Sequence, residues 1–434
     1  MKRSLSILLA CIMVFAFIPG CSSGKPAVPS AAPSQAPASS SQAPAPQSSQ
    51  APAPQPEFTG TIKFGLACPL TGNMASYGEL MALGAKIATD KINATGGING
   101  QKVEMVVLDD KQDPKEAALV AQRFCDDPEI FAVVCHGGSS LSLAAAPIYE
   151  RAKLSNMAPS SSNGTLTEQG YEYFVRHVIR DDRQSPQVVA MMANNLGLKK
   201  IAIIFANNDY GRGNLEYATT AAQQLGIEVV ATETYNPGLE KDFTALLTKI
   251  QKSGAEGIAM YADYTDGGLI LGQAKQLGME TLTWGGQSAL TYKKLIELAT
   301  PEALGNLHIL VTFNPYDTHR ESVRDFMDTF QSIRPGEIPS EPCAFTYDII
   351  NVFKQAIEQG ATKENLAQFI KNNVSGQPQF EAKNILLGDS VVWDHKGDVT
   401  PRGVDVLRVS PGGDFINSDM RVDITGITMK GVTQ

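Results

Sequence analysis

Three short stretches have the composition of an anion holder: Leu70-Thr71-Gly72-Asn73-Met74-Ala75-Ser76-Tyr77-Gly78, Gly137-Gly138-Ser139-Ser140 and Pro159-Ser160-Ser161-Ser162-Asn163. Each is small and hydroxyl-rich, follows an apolar run and stands where a helix is expected to begin. A helix N-terminus offers unpaired N–H groups and a partial positive charge, and neighbouring serines add donors, so the three together suit a carboxylate or another small anion. Charge-assisted hydrogen bonds contribute roughly 1.5–3 kcal/mol each, and three or four supply much of the roughly 8 kcal/mol of micromolar binding. Taken singly, each loop, with Ser139 or Ser162, reads more readily as a helix cap; the three together shift the balance toward a ligand. A second set is acidic and aromatic: Asn207-Asn208-Asp209-Tyr210-Gly211, Tyr261-Ala262-Asp263-Tyr264-Thr265-Asp266 and Trp284-Gly285-Gly286-Gln287-Ser288. An anion site facing carboxylates and tyrosines is what a zwitterion requires.

Catalytic patterns do not stand beside these loops. The chain has no Gly-x-Ser-x-Gly, no His-Glu-x-x-His, no phosphate loop ending in Gly-Lys-Ser or Gly-Lys-Thr, and no dinucleotide fingerprint after its first strand. Its histidines, His136, His177, His308, His319 and His395, are scattered without metal spacing. Cys135-His136 pairs a nucleophile with a base in sequence, but neighbours on a strand point to opposite faces. No enzyme, metal or cofactor is expected. Cys68, Cys125, Cys135 and Cys343 lack Cys-x-x-Cys spacing. In an oxidising compartment Cys68 with Cys135, which both end expected strands, is the first disulfide to test, with buried free thiols the alternative.

Short apolar runs alternate with amphipathic stretches and so position these loops. Strands are expected at 62–68, 103–108 and 131–135, each followed by a helix, at 78–94, 115–124 and 140–152. In the first helix Leu80, Leu83, Ile87 and Ala88 share one face while Glu79, Lys86, Asp90 and Lys91 take the other. The same alternation restarts near Lys200, with strands at 201–205, 227–234 and 257–261 and helices at 213–225, 243–253 and 266–278. Parallel strands need crossover connections, so this grammar predicts an α/β chain of two doubly wound parallel-sheet lobes. The tail, a strand at 309–313, helices at 320–333 and 346–359, and strands at 390–393 and 403–409, returns to the first lobe and then to the second. Lobe 1 is thus expected at 58–178 plus 314–386 and lobe 2 at 179–313 plus 387–434, with three crossings forming a hinge. In open α/β sheets ligands bind beyond the carboxyl ends of strands, which is where all six loops fall.

Lys2 and Arg3 precede an uncharged apolar run of 14 residues, Leu5 to Ile18. As a helix it would rise about 21 Å, short of the roughly 30 Å hydrocarbon core, so 1–20 reads as a secretory signal peptide. Ile18-Pro19-Gly20-Cys21 resembles a bacterial lipobox, with Pro19 where Ala or Ser is usual; Cys21 would carry the lipid. From Ser22 to Pro56, 32 of 35 residues are Pro, Ala, Ser or Gln, and Ser-Gln-Ala-Pro-Ala recurs from Ser34, Ser41 and Ser49. Residues 21–57 therefore read as a disordered tether between a membrane lipid anchor and a body that does not enter the bilayer. Without Lys2 and Arg3 the 36 basic residues become 34 against 45 acidic ones, a net charge of −11. Such a body is not expected to bind nucleic acid.

Asn93-Ala94-Thr95-Gly96-Gly97-Ile98-Asn99-Gly100, Asp109-Asp110-Lys111-Gln112-Asp113-Pro114, Asp209-Tyr210-Gly211 and Lys241-Asp242-Phe243 give the chain, from about 61 to 409, a specific likeness. It resembles the branched-chain amino acid family of periplasmic binding proteins, which have the type I periplasmic-binding-protein fold. The resemblance implies an extracytoplasmic, monomeric bacterial lipoprotein that captures an amino acid by lobe closure and delivers it to an ABC importer's permease subunits. It places the ligand carboxylate at Ser139, Ser162 and the backbone of Ser160, aromatic cleft walls at Tyr77 and Tyr210, and a contact to the ammonium at Tyr264. Gln287 stands where the family has an acidic partner for that ammonium. The charge then comes from Asp263, Asp266 or Asp209, or the ligand is an amide or organic acid lacking an amine. A sensory module with the same cleft is the competing reading.

Overall fold

The computed structural model describes residues 56–373, 375–376, 378–400 and 403–428. The expected signal peptide, Cys21 and all but the last residues of the tether lie outside the described residues.

Strands β1 (Gly60–Cys68), β2 (Gln101–Asp109), β3 (Ile130–Val134), β4 (Asn156–Ala158) and β5 (Phe174–Arg176) form one parallel sheet in the order β2-β1-β3-β4-β5. Helices α1 (Ala75–Ala94), α2 (Pro114–Asp126), α3 (Ser139–Ala152) and α4 (Thr165–Glu168) make its crossovers. Apolar side chains leave β1 in both directions. Phe64, Leu66 and Cys68 join the main core, while Ala67 packs with Phe124, Cys135 and Tyr149 on the other face. Those two faces separate the cysteines: all four described thiols are free, and the pairing of Cys68 with Cys135 is corrected because the sheet lies between them.

The chain passes to a second sheet after β5. Helix α5 (Asp181–Ala190) leads into β6 (Lys200–Ala206), α6 (Asp209–Leu225), β7 (Glu228–Tyr235), α7 (Thr244–Ser253), β8 (Gly257–Tyr261), α8 (Tyr264–Gln276), β9 (Thr283–Gln287), α9 (Lys293–Ala299) and β10 (Leu307–Val311). It then returns to the first body as α10 (Glu321–Ile333), α11 (Glu341–Glu358) and α12 (Leu366–Ile370), with α11 packed along α1. That packing is close: a Cβ on Gly84 would lie 2.1 Å from the carbonyl oxygen of Cys343. A hairpin of β11 (Ala382–Ile385) and β12 (Gly388–Val391) spans the expected boundary at 386/387. Finally β13 (Asp405–Val409) and β14 (Phe415–Asn417) add antiparallel to β10, giving the order β14-β13-β10-β9-β8-β6-β7. The architecture is that of a type I periplasmic binding protein, two α/β lobes with the chain crossing between them at 177–180, at 312–320 and, among the described residues, from 392 to 400.

These crossings are fastened to one another. Asp398 accepts Arg176 at 2.7 Å and Arg180 at 3.0 Å, with all three side chains buried. Trp393 stacks on the His177 ring at 5.7 Å and donates from Nε1 to the Arg176 carbonyl at 2.8 Å. Charges this deep survive only when paired, so the first and third crossings form one unit.

Sequence periodicity missed β5, α5 and β9, and also the short elements β4, α4, α9, α12, β11 and β14. Expected as a loop, 284–288 instead contributes strand β9, where the side chains of Met192, Val188 and Leu290 pack closely on Gly285 and Gly286 and would have to shift for a Cβ. Helices α1, α6, α8 and α11 begin two to five residues before their expected starts, at Ala75, Asp209, Tyr264 and Glu341.

Candidate functional site

The strand-end loops of the two lobes meet around a cavity of about 550 Å³. From the first lobe come Tyr77, Ser139, Ser160 and Ser162, and from the second Tyr210, Asp263 and Gln287. Tyr264 is not in the lining; it is buried, stacks on Tyr292 at 4.3 Å and donates to the Asn73 carbonyl at 3.3 Å.

Ser139 is the first residue of α3, and its Oγ accepts the Asn163 N–H at 3.2 Å. This joins two of the three hydroxyl-rich loops. The Ser160 hydroxyl is hydrogen-bonded to Tyr77 OH. Burial holds the Tyr77 phenol well above its usual pKa, partly offset by the Ser160 bond, so it stays a neutral donor. Behind these loops Ser142 and Ser161 share a 2.7 Å hydrogen bond, and Ser161 donates to the His136 carbonyl. The hydroxyls are therefore fixed before any solute arrives, which lowers the ordering cost of binding.

On the second lobe one network runs inward. Tyr210 OH donates to Gln287 Oε1 at 2.9 Å, Gln287 Nε2 to Asn214 Oδ1 at 2.8 Å, and Asn214 Nδ2 to Asp181 Oδ1 at 3.0 Å. Asp181 opens α5 and is wholly buried beside Ser162, whose carbonyl accepts its N–H at 3.0 Å. Its Oδ2 has no hydrogen bond of normal geometry, although the Ser162 hydroxyl is near enough to favour the ionised form. Desolvation outweighs that hydroxyl, the Arg176 charge and the Asn214 bond, and the carboxyl is pushed up to about 7.

Each acid expected to face an ammonium already has protein partners. Asp263 Oδ1 caps α8 by accepting Thr265 N–H at 2.8 Å and Asp266 N–H at 3.1 Å. Asp266 accepts Gly238 N–H and lies 3.7 Å from Lys241. Burial, and for Asp263 also the charge of its neighbour, raise both carboxyls. Asp209 accepts Ser140 Oγ at 2.6 Å and Arg212 at 3.0 Å. Asp181 was not anticipated; Arg180-Asp181-Asp182-Arg183 reads as a solvated charge run, and the only clue was its position just after the first crossing. Glu341, at the start of α11 and bordering the cavity, was also unanticipated.

The lobes touch at the rim. Asn163 Nδ2 donates to the Asp209 carbonyl at 2.7 Å, Thr265 Oγ1 to the Asn73 carbonyl at 3.2 Å, and Tyr77 and Tyr264 flank Tyr292 in a stack. Among the described residues no group of three His, Cys, Asp or Glu side chains is placed to hold a metal, and no helix is long and apolar enough to cross a membrane.

Two crossed-over lobes closing on a preformed cavity define a solute-binding protein. The family model for periplasmic binding proteins matches residues 61–413. A leucine-, isoleucine-, valine-, threonine- and alanine-binding protein of Pseudomonas aeruginosa is 31% identical over 343 residues, covering 78% of this chain and 87% of the relative. The branched-chain amino acid transporter substrate-binding protein LivJ of Streptococcus pneumoniae, solved with isoleucine, superposes with a TM-score of 0.73 at 25% identity, covering 82% and 99%. A Desulfitobacterium hafniense ABC transporter substrate-binding protein in complex with Leu gives 0.67 at 27%, again covering 82% and 99%. This chain belongs to the periplasmic binding protein family.

Proposed function

We propose that this protein captures an α-amino acid between its lobes and delivers it to an ABC importer in the membrane. The observation that carries the reading is the meeting, at one cavity, of the preset Ser139, Ser160 and Ser162 loops with Tyr210 and Gln287, behind which Asn214 leads to the buried Asp181 carboxyl. The hydroxyls and the start of α3 take the ligand carboxylate. Asp181 supplies the negative charge that Gln287 does not, and Tyr77 and Tyr210 form walls, with Asp263 and Gln287 completing the second-lobe side. Relatives that bind aliphatic amino acids, and one solved with isoleucine, support the ligand class.

The proposal extends to the anchor and the body plan. Cys21 carries lipid after removal of 1–20, and 21–57 tethers a monomer outside the cytoplasmic membrane. We assign 58–178 with 314–398 to one lobe and 179–313 with 403–428 to the other, moving the expected boundary at 386/387 because the β11–β12 hairpin and Asp398 stay with the first lobe. A thermal-shift screen over amino acids, amides and small organic acids tests the reading, because a ligand specific to the folded state raises stability by mass action. α-Amino acids should raise the melting temperature and their decarboxylated analogues should not. A response to organic acids alone would refute it.

A further inference from the structure

Glu341 is the first residue of α11, only 3% exposed, and borders the cavity. Its Oε1 is fully engaged, accepting the Thr312 N–H, the Thr312 hydroxyl at 2.7 Å and the Phe313 N–H at 3.0 Å. Its Oε2 has no hydrogen bond, and the carboxylate no ion pair, among the described residues. The cavity lining also contains Asp113, Asp263 and Asp266, against a single cation, Lys111. Lys111 is half exposed and already paired with Glu116 at 3.0 Å. Glu341 further disfavours ionisation of Tyr77, placing its charge close to the ligand wall.

A buried carboxylate without a cation is costly, and an aliphatic side chain laid against it would leave it so. We infer that the ligand carries a second nitrogen donor at its far end, an ammonium, guanidinium or amide, which lodges against Glu341. The cavity, at about 550 Å³, has room for such a side chain. The inference rests on the amino acid reading above and narrows it from aliphatic to nitrogen-bearing side chains.

Calorimetric titration of the wild-type protein with L-arginine, L-lysine, L-glutamine, L-isoleucine and agmatine is the test. At least one nitrogen-bearing amino acid should bind tenfold or more tighter than isoleucine. Glu341→Gln, which keeps an acceptor for residues 312 and 313, should cut that ratio at least tenfold. Isoleucine binding more tightly than all three, or a ratio unaltered in Glu341→Gln, would overturn the inference. If the variant does not fold, the wild-type ratio decides alone. Binding of agmatine with no amino acid binding would retain the role of Glu341 and sink the α-amino acid reading; binding of none of the five would sink both.

Discussion

Asp181→Asn separates the cost of the buried acid from its use. In the folded protein the carboxyl titrates at about 7 rather than 3.8, chiefly because burial penalises the charge. Between those two values the native state holds a proton that the unfolded chain has released, so stability falls as pH rises from about 4 to about 7 and the penalty is complete above 7. At 1.36 kcal/mol per pH unit the interval amounts to about 4 kcal/mol. Asparagine cannot ionise, and its amide can donate toward the Ser162 hydroxyl. The empty variant should therefore match wild type near pH 4 and exceed it by up to about 4 kcal/mol at pH 8, read from urea unfolding at each pH. Binding should respond in the opposite sense. An ammonium beside Asp181 favours the carboxylate, so wild-type affinity for the tightest amino acid should rise up to tenfold per pH unit until about 7 and then level off. Titration at pH 6 in buffers of different ionisation heat should register a released proton, absent in the variant. Equal stability of the two proteins at pH 8, or undiminished affinity in Asp181→Asn, would refute the reasoning.

Four further outcomes are expected. Ser139→Ala and Ser162→Ala should each weaken amino acid binding by more than about 1 kcal/mol; the melting temperature of the empty protein should barely move in Ser162→Ala and should fall in Ser139→Ala, where the buried Asn163 N–H loses its acceptor, as calorimetry and thermal scans would reveal. Asp398→Ala leaves two buried guanidiniums short of a partner and should lower unfolding free energy by about 3–5 kcal/mol; a loss below about 1 kcal/mol would show that the crossings are not held by this acid. In thiol titration of the native protein Cys125, only partly buried, should react first, while Cys68, Cys135 and Cys343, whose pKa values burial drives far up, should wait for denaturant. Metabolic labelling with a fatty acid should mark wild type and disappear in Cys21→Ala.

Fold and anion-holding loops were legible because both are local. The runs that became β1, β3, β6 and β8 are apolar and are followed by loops, so the strand-end loops holding Ser139, Tyr210 and Asp263 could be placed from spacing, while the individual contacts of Ser139, Ser162 and Tyr210 came from the family resemblance. Strand β5 has three residues and ends in Arg176, and β9 reads Thr-Trp-Gly-Gly-Gln; neither has a pattern that outweighs its composition. Asp181 and Glu341 were hidden for another reason. Both look like surface charges, and their burial comes from chain brought in from elsewhere: α6 and its Asn214 over Asp181, residues 312 and 313 against Glu341. Long-range enclosure of an acid leaves no trace in its own neighbours.

The hydrogen bond from Asn163 to the Asp209 carbonyl joins the lobes through two residues that do not line the cavity. Part of the preference for the shut arrangement is thus written into the protein's lips, independent of cargo. Apparent affinity scales with the fraction of molecules already poised to hold a guest, so substitutions at these lips reset retention without altering which guest is preferred. Selection can in this way match a receptor to scarce or plentiful nutrient while leaving the pocket that recognises it untouched.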